Sequence, residues 1–151
     1  MFTISEIRNP CNEDYELIEE FYRIYSTHLN NDDIEYNMNL LKNIKSNEVI
    51  AYTRRIFYLK FEEKVVGLLI ISKDLIDPMI EFLAIDKAYR GFGGANELLQ
   101  ICFKILSTNK PVIHIPINKY MDFKEIIERY DWSSSTFYMK NDTRVFILNY
   151  F

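Results

Sequence analysis

The sequence element with the clearest chemistry is a glycine-containing turn, Arg90-Gly91-Phe92-Gly93-Gly94-Ala95. An apolar run from Met79 to Ile85 leads into this turn, and a helical pattern leads out of it. Backbone N–H groups at the start of a helix point in one direction and, with the helix dipole, attract anions. Glycine lets a phosphate approach the backbone closely, and Arg90 adds a fixed positive charge. The turn therefore predicts a phosphate or pyrophosphate site.

Three other interpretations of this turn are weaker. A P-loop requires the pattern GxxxxGK[ST], which the chain lacks. A dinucleotide-binding GxGxxG turn would need glycine where Asn96 stands, and its strand should open the domain, whereas this strand is the fourth. A plain helix entry would not need three glycines, because each glycine carries an entropic cost.

The pattern of apolar residues predicts the elements that must position this turn. The third strand, Val65 to Ser72, is apolar on both faces and should lie centrally in a sheet. The expected order is β-α-α-β-β-β-α-β-α-β-β, a mixed α/β (α+β) sheet in one domain over residues 1–151. Strands are predicted at residues 2–8, 56–61, 65–72, 79–85, 111–117, 135–140 and 144–149. Helices are predicted at residues 12–29 and 96–106, and a weaker helix runs through Leu40, Leu41 and Ile44. A last helix is expected to begin at Asp122, with Glu125 as the second residue of a capping pair.

With these elements in place, the stretch from Ile80 to Leu99 resembles motif A of the GNAT superfamily, the acetyl-coenzyme A N-acetyltransferases. That motif centres on [RQ]-x-x-G-x-[GA], matched here by Arg90, Gly93 and Ala95. The element order resembles the GNAT fold over nearly the whole chain. The resemblance implies an acyltransferase that uses acetyl-CoA.

The resemblance also implies where coenzyme A would bind. In the family the motif A strand splays from the next parallel strand, and the pantetheine arm lies in the gap between them. Here the pair would be Met79–Ile85 and Val112–Ile117, and Pro116 suits a strand whose pairing stops there. The implied cofactor-binding residues are Leu83, Ala84 and Ile85 for pantetheine, Arg90, Gly91, Phe92, Gly93, Gly94 and Ala95 for the pyrophosphate, and Asn118 near the thiol.

Glu81 is the candidate general base. It is the only acid in the strand from Met79 to Ile85, and its position resembles that of an acidic residue in many GNAT enzymes. Burial would raise the pKa of its carboxyl group toward neutrality, which suits removal of a proton from an amine. The alternative is a carboxylate that faces solvent.

The general acid is less well defined. The family often places a tyrosine in a Y-x-x-x-G-F-like segment, and the corresponding residues here begin with Ile127 and have Asp131 at the glycine position. Tyr130 and Tyr120 are the nearby candidates for protonating the thiolate. The alternative for Tyr130 is packing on the apolar stripe of its helix.

The acceptor site is expected between the first two helices and the last hairpin. Aromatic residues that could line it are Tyr22, Tyr25, Tyr36 and Tyr138. Acidic residues in the first connecting loop, Asp32, Asp33 and Glu35, favour a cationic amine. Of the two histidines, His28 is expected to face solvent and His114 to be a satisfied core residue.

Composition excludes several other functions. The net charge of −4 and the absence of a basic block beyond Arg54-Arg55 argue against binding bulk nucleic acid. No apolar run approaches the ~20 residues of a membrane span, and the first residues do not resemble a signal peptide, so we expect a cytoplasmic protein. Cys11 and Cys102 lack metal-site spacing, so we expect no metal and two small buried side chains.

The sequence therefore predicts transfer of an acetyl group from acetyl-CoA to an amine of a small molecule or a peptide. Three alternatives are left open: a GNAT-fold protein that binds coenzyme A without catalysis, an acyltransferase acting on a protein or charged-tRNA amine, and a non-enzymatic interaction module. A homodimer through the last hairpin is also left open.

Overall fold

A computed structural model describes residues 1–25, 34–36, 38–39, 41–43, 49, 53–73 and 78–150. The elements are β1 Phe2–Ile7, α1 Asn12–Tyr25, β2 Arg54–Phe61, β3 Lys64–Ser72, β4 Met79–Ile85, α2 Gly94–Leu106, β5 Val112–Pro116, α3 Lys124–Arg129, β6 Ser134–Lys140 and β7 Thr143–Leu148, with 3-10 helices at Lys87–Tyr89 and Ile117–Phe123. In the region of the predicted second helix, residues 34–36, 38–39 and 41–43 are helical, and Leu40 and Ile44 lie outside the described residues. The predicted end of α1 at Leu29 also lies outside the described residues.

The seven strands of the described residues form one mixed sheet in the order β1-β2-β3-β4-β5-β7-β6. Among these strands only β4 and β5 are parallel neighbours, and the other neighbouring pairs are antiparallel. The predicted mixed α/β fold is confirmed. The central position of β3 is also confirmed, since its residues from Val66 to Ile71 are buried.

The splayed strand pair is confirmed as well. β4 and β5 pair at only two positions, Met79 with Val112 and Ile80 with Ile113. Beyond this point β4 follows β3 as far as Ile85, and β5 follows β7 as far as Pro116. We call the place where the two strands separate the fork.

Apolar side chains fill both faces of the sheet. One layer lies under α2 and α3 and includes Leu59, Ile80, Leu98, Cys102, Ile113 and Ile115. The other lies under α1 and includes Ile18, Phe21, Ile56, Leu68, Ile70 and Phe82. Alternation along each strand assigns its side chains to one layer or the other. The same alternation decides which residues face the fork from the α1 side.

Two local predictions were wrong. Asp122 does not cap a helix: it lies in the 3-10 segment, α3 begins at Lys124 without a side-chain cap, and the Asp122 carboxylate pairs with Arg90 instead. Cys102 is buried as expected, but Cys11 is exposed. The backbone N–H and the thiol of Cys11 donate to Asp14 at 2.9 and 3.2 Å, so Asp14 reaches back to the residue before α1. Within the described part of the chain, no helix is both long and apolar enough to cross a membrane.

Candidate active site

A cavity of about 650 Å³ lies along the gap between β4 and β5. This volume is within the range of small-molecule sites, about 300–1,000 Å³. Its wall is built from the end of α1, the strands at the fork, the glycine turn and α3. Its lining residues include Tyr22, Tyr25, Arg54, Glu81, Leu83, Ala84, Ile85, Arg90, Gly91, Gly93, Gly94, Ala95, Asn96, His114, Asp122, Tyr130, Tyr138 and Lys140.

The glycine turn forms one end of this cavity. Gly91 and Gly93 have φ angles of 86° and 87°, a region that favours glycine. A Cβ added at either position would meet no described atom within 4 Å, so the space over this backbone is open. Gly93 precedes α2, and no side chain among the described residues caps that helix. The first helical hydrogen bond runs from the Glu97 N–H to the Gly93 carbonyl oxygen at 3.1 Å. The backbone N–H groups of residues 94–96 therefore have no acceptor within the helix.

The third glycine of the turn has a different role. A Cβ on Gly94 would lie 2.5 Å from Leu59 Cδ2, because α2 packs closely on β2 at this point. Phe92 is 72% exposed, and its side chain is not part of the cavity wall. Two glycines therefore leave the space over the backbone of the turn open, and the third lets the helix approach the sheet.

Arg90 reaches across the end of the gap. Its Nε donates to the Ile85 carbonyl at 2.9 Å, and its Nη1 lies 3.3 Å from Asp122 Oδ2. Its guanidinium also lies over the Tyr25 ring, 5.6 Å from the centroid. The positive charge of Arg90 therefore lies at the end of the gap, where it is partly neutralised by the Asp122 carboxylate.

Glu81 lies at an irregularity in the strand pairing. Ile70 pairs with Phe82 and Ile71 with Ile80, which leaves Glu81 as an extra residue, a β-bulge, directly after the fork. Bulges re-aim side chains and are frequent beside active sites. The Glu81 carboxylate forms an ion pair with Arg54, and both side chains are largely shielded, with exposed fractions of 21% and 12%.

Arg54 is a cavity residue that sequence reasoning missed. In the sequence it is half of the basic dipeptide Arg54-Arg55, and neighbouring residues in a strand point to opposite faces. Arg55 bonds Glu6 on β1, with nitrogen–oxygen distances of 2.7 and 3.0 Å, while Arg54 turns to the α1 face and meets Glu81. Strand alternation could have identified Arg54, because two consecutive arginines at the start of β2 must point to opposite faces of the sheet.

Tyr22 packs beside this ion pair. Its ring packs on the Phe82 ring with 4.5 Å between centroids and an interplanar angle of 39°. Burial raises the pKa of the Tyr22 hydroxyl, the Glu81 carboxylate raises it further, and Arg54 opposes the shift. The hydroxyl therefore stays protonated and presents a neutral polar group.

The two tyrosine candidates for the general acid differ in position. Tyr130 lines the cavity, and its hydroxyl donates to the Asn96 side chain and accepts from Gln100 Nε2 at 3.2 Å. These contacts hold the hydroxyl at the first turns of α2, beside the glycine turn. Tyr120 instead packs on Phe146 at 5.2 Å and is not among the described residues that line the cavity. Ile127 is also outside the described wall and packs on the layer under α2.

His114 was expected to be a core residue, and this prediction was wrong. It is exposed, it lines the cavity, and its Nδ1 lies 3.1 Å from the Tyr138 hydroxyl. The cause is alternation on β5: Ile113 and Ile115 point into the layer under α2, so His114 must point the other way.

This fold is shared with solved acetyltransferases. The chain matches a GNAT-family acetyltransferase, described as putative, from Desulfovibrio desulfuricans with TM-score 0.66 and 10% identity, covering 97% of each chain. It matches spermidine N-acetyltransferase from Vibrio cholerae, solved with CoA and spermine, with TM-score 0.63 and 16% identity over 97% of this chain and 93% of that one. It also matches PaiA N-acetyltransferase from Thermoplasma acidophilum, solved with coenzyme A, with TM-score 0.64 and 12% identity over 96% of this chain and 98% of that one.

The chain has the GNAT fold. No family model and no curated protein matches the sequence. The likeness is therefore one of architecture.

Some of the remaining predicted residues line the cavity, and others are exposed or lie outside the described residues. Tyr22, Tyr25 and Tyr138 lie in the cavity wall, whereas Tyr36 is 68% exposed, and the acceptor role of these residues stays a prediction. Asn118 is exposed and lines a second, smaller depression beside Arg90 and Lys119. Of the acidic loop, Glu35 is exposed, and Asp32, Asp33 and His28 lie outside the described residues.

The Arg90–Asp122 pair gives a first testable result. Asp122→Asn should increase affinity for coenzyme A several-fold, because it removes a negative charge beside the turn and frees Arg90 for a phosphate. Stability should change little, since a half-exposed pair contributes about 0–1 kcal/mol. The measurement is calorimetric titration with coenzyme A. Asp131→Asn, at a fully exposed carboxylate outside the described wall, is the matched control. Equal or weaker affinity in Asp122→Asn would show that Arg90 does not meet the phosphate.

Proposed function

We propose that this chain is an N-acetyltransferase in which residues 1–151 act as one domain, binding acetyl-CoA along the fork and passing its acetyl group to an amine. The supporting observation is continuity: the open amides at the glycine turn and the ionisable groups at the fork belong to one cavity. A ligand with an anionic end and a long arm fits such a shape. A compact phosphate ligand would leave the fork unused.

The residues at the turn fit a pyrophosphate. The amides of residues 94–96 and the guanidinium of Arg90 supply donors, and the space over Gly91 and Gly93 is open. We propose that Leu83 and Ala84 offer backbone groups to the pantetheine amides, since β4 has no ladder with β5 there. The Ile85 carbonyl already accepts from Arg90. Bound acetyl-CoA would supply a thioester carbonyl open to attack.

The acceptor is proposed to bind on the α1 side of the fork. Glu81 presents a carboxylate there, held by Arg54, and Tyr22 adds a neutral hydroxyl. An ammonium group would be held by this carboxylate, which is a use for Glu81 in addition to the general-base role expected from the sequence. Tyr130, held at Asn96, is proposed to act on the cofactor side, and Tyr120 has no place in the scheme.

Thiol release tests the proposed reaction. Purified protein with acetyl-CoA should release free thiol faster when an amine acceptor is present, measured across spermine, a peptide with a free N-terminus and an arylamine. Glu81→Gln should raise KM for the amine and lower kcat/KM, while its affinity for coenzyme A stays at the wild-type value. An unchanged kcat/KM in Glu81→Gln would remove Glu81 from the acceptor site.

A second candidate function is binding of coenzyme A without catalysis. The observation that favours it is the contact set of Tyr130, whose hydroxyl is engaged by Asn96 and Gln100 at the turn, together with the absence of Ile127 from the described wall. Tight coenzyme A binding with no thiol release above buffer across the three amines would select this candidate over the enzyme.

A further inference from the structure

The charged side chains that line the cavity do not balance. Six of them form three ion pairs, which are Arg54 with Glu81, Arg90 with Asp122 and Arg129 with Glu125. The other two are lysines, Lys119 and Lys140, and neither has a carboxylate partner among the described residues. The described wall therefore carries five cations against three carboxylates, although the whole chain has a net charge of −4.

Lys119 belongs to the surroundings of the glycine turn. It lies in the 3-10 segment after β5, and its Nζ is 5.9 Å from the centroid of the Tyr25 ring. Arg90 lies over the same ring at 5.6 Å, and both cationic side chains also line the second depression. The phosphates proposed to bind at the turn would therefore supply a counter-charge for Lys119.

Lys140 lies on the opposite side of the cavity. It is the last residue of β6, which ends the described sheet, and β5 and β7 stand between β6 and β4. Three interstrand steps therefore separate Lys140 from the strand of Glu81, roughly 14 Å across the sheet. Tyr138, two residues earlier on the same face of β6, contacts His114 and lines the same cavity. Lys140 thus extends the α1-side wall away from the glycine turn.

A half-buried cation in a cavity wall favours a ligand with an anionic group. The partial burial of Lys140 removes some of its hydration, and a carboxylate would restore a charge-assisted hydrogen bond. The acceptor is proposed to place its ammonium at Glu81, so the distance across the sheet decides where its anionic group must be. An α-amino acid carries its carboxylate next to its amine and is too short to reach both Glu81 and Lys140. A longer acceptor with opposite charges at its two ends fits this span.

We propose that the acceptor is an amine that carries a carboxylate at its far end, and that Lys140 binds this carboxylate while Glu81 holds the ammonium. This inference rests on the proposed acetyltransferase function and names the substrate class of its acceptor site. Two kinds of molecule have this chemistry, a peptide with an acidic residue near its N-terminus and a small ω-amino acid. A polyamine, whose charges are all positive, lacks the group that Lys140 would bind.

Acceptor binding is measured by calorimetric titration into the protein saturated with coenzyme A, so that no turnover is needed. Two matched pairs of ligands differ only in one carboxylate: ε-aminocaproate against its amide, and the C-terminally amidated tripeptide Ser-Ala-Glu against Ser-Ala-Gln. In at least one pair the carboxylate member should bind about tenfold more tightly, as expected for a charge-assisted hydrogen bond. The pair that shows the preference identifies the source of the carboxylate. Equal binding within both pairs would overturn the proposal.

Lysine variants assign the preference to one side chain. Lys140→Met keeps an unbranched side chain without its charge and should abolish the preference, and Lys140→Glu should reverse it in favour of the neutral member. Lys119→Met is the matched control, because it makes the same change at the other lysine without a carboxylate partner, and it should keep the preference. Melting temperatures of the Lys140 variants should stay near the wild-type value, since this position ends a largely exposed strand. A preference that persists in Lys140→Met, or that disappears in Lys119→Met, would show that Lys140 does not bind the carboxylate.

The outcomes separate this proposal from the proposed function. No melting shift with coenzyme A in the wild type would defeat the proposed function itself. A normal shift, with equal binding of the two members in both pairs, would defeat only the carboxylate-bearing class of acceptor. A coenzyme A complex that binds none of the four amines would also count against that class.

Discussion

Asn96→Asp is expected to stabilise the free protein while weakening coenzyme A binding about tenfold or more. Asn96 lies in the first turn of α2 and lines the cavity at the glycine turn. A negative charge near a helix N-terminus stabilises the helix by about 0.3–1 kcal/mol. The same charge would repel a pyrophosphate at the amides by about 1–4 kcal/mol. The Asp side chain keeps an oxygen for the Tyr130 hydroxyl, so the local packing should persist.

The opposite signs of these two effects make the variant informative. Melting temperature measured without ligand reports the first effect, and calorimetric titration with coenzyme A reports the second. Asn109→Asp is the matched control, since it makes the same substitution at an exposed residue beyond the end of α2 and outside the described wall. Wild-type affinity in Asn96→Asp would mean that the anion does not bind at this helix end.

Gly67→Ala is expected to lower the free energy of unfolding by about 2–3 kcal/mol. Gly67 lies in β3, where a Cβ would meet Ile85 Cδ1 at 2.8 Å, Leu59 Cβ at 3.0 Å and the Ala84 carbonyl at 3.3 Å. Two of these three atoms lie on or next to backbone, so rotation of a side chain cannot relieve every contact. For a domain of this size the melting temperature should fall by about 4–12 °C.

Ile85→Val supplies the matched test of this cause. Alone it should cost about 0.5–1.5 kcal/mol, because it removes the buried Cδ1 methyl. Combined with Gly67→Ala it removes the closest clash, so the double variant should be more stable than the sum of the two losses. A Gly67→Ala protein with the wild-type melting temperature, or strict additivity in the double variant, would show that β4 moves freely at this position.

Much of the fold follows from local patterns in the sequence. Apolar runs located all seven strands to within two residues, because each run must bury a face. The glycine turn located the start of α2, since only glycine adopts the φ of Gly93 at low cost. The splay of β4 from β5 came from the resemblance to GNAT proteins, and Pro116 agrees with it, being the last residue of β5.

The acceptor side of the cavity depends on features that no local pattern encodes. Glu81 is aimed by a bulge that is defined only by the register of β3 against β4. Its partner Arg54 lies 27 residues away in sequence. His114 looked like a core residue because it stands between buried isoleucines, and only the separation of β5 from β4 opens a cavity on its face. Asp122 matched a capping pattern, but Arg90 offered a stronger partner.

Binding of coenzyme A itself tests the central claim most directly. At a ligand concentration of about 100 Kd the protein should gain about 2.7 kcal/mol, which raises the melting temperature by about 5–10 °C for a chain of this size. Pantetheine, which lacks the phosphates, should give a much smaller shift at the same concentration, because the glycine turn would then be unused. No shift with millimolar coenzyme A, or an equal shift with pantetheine, would contradict a pyrophosphate site at Arg90 to Ala95.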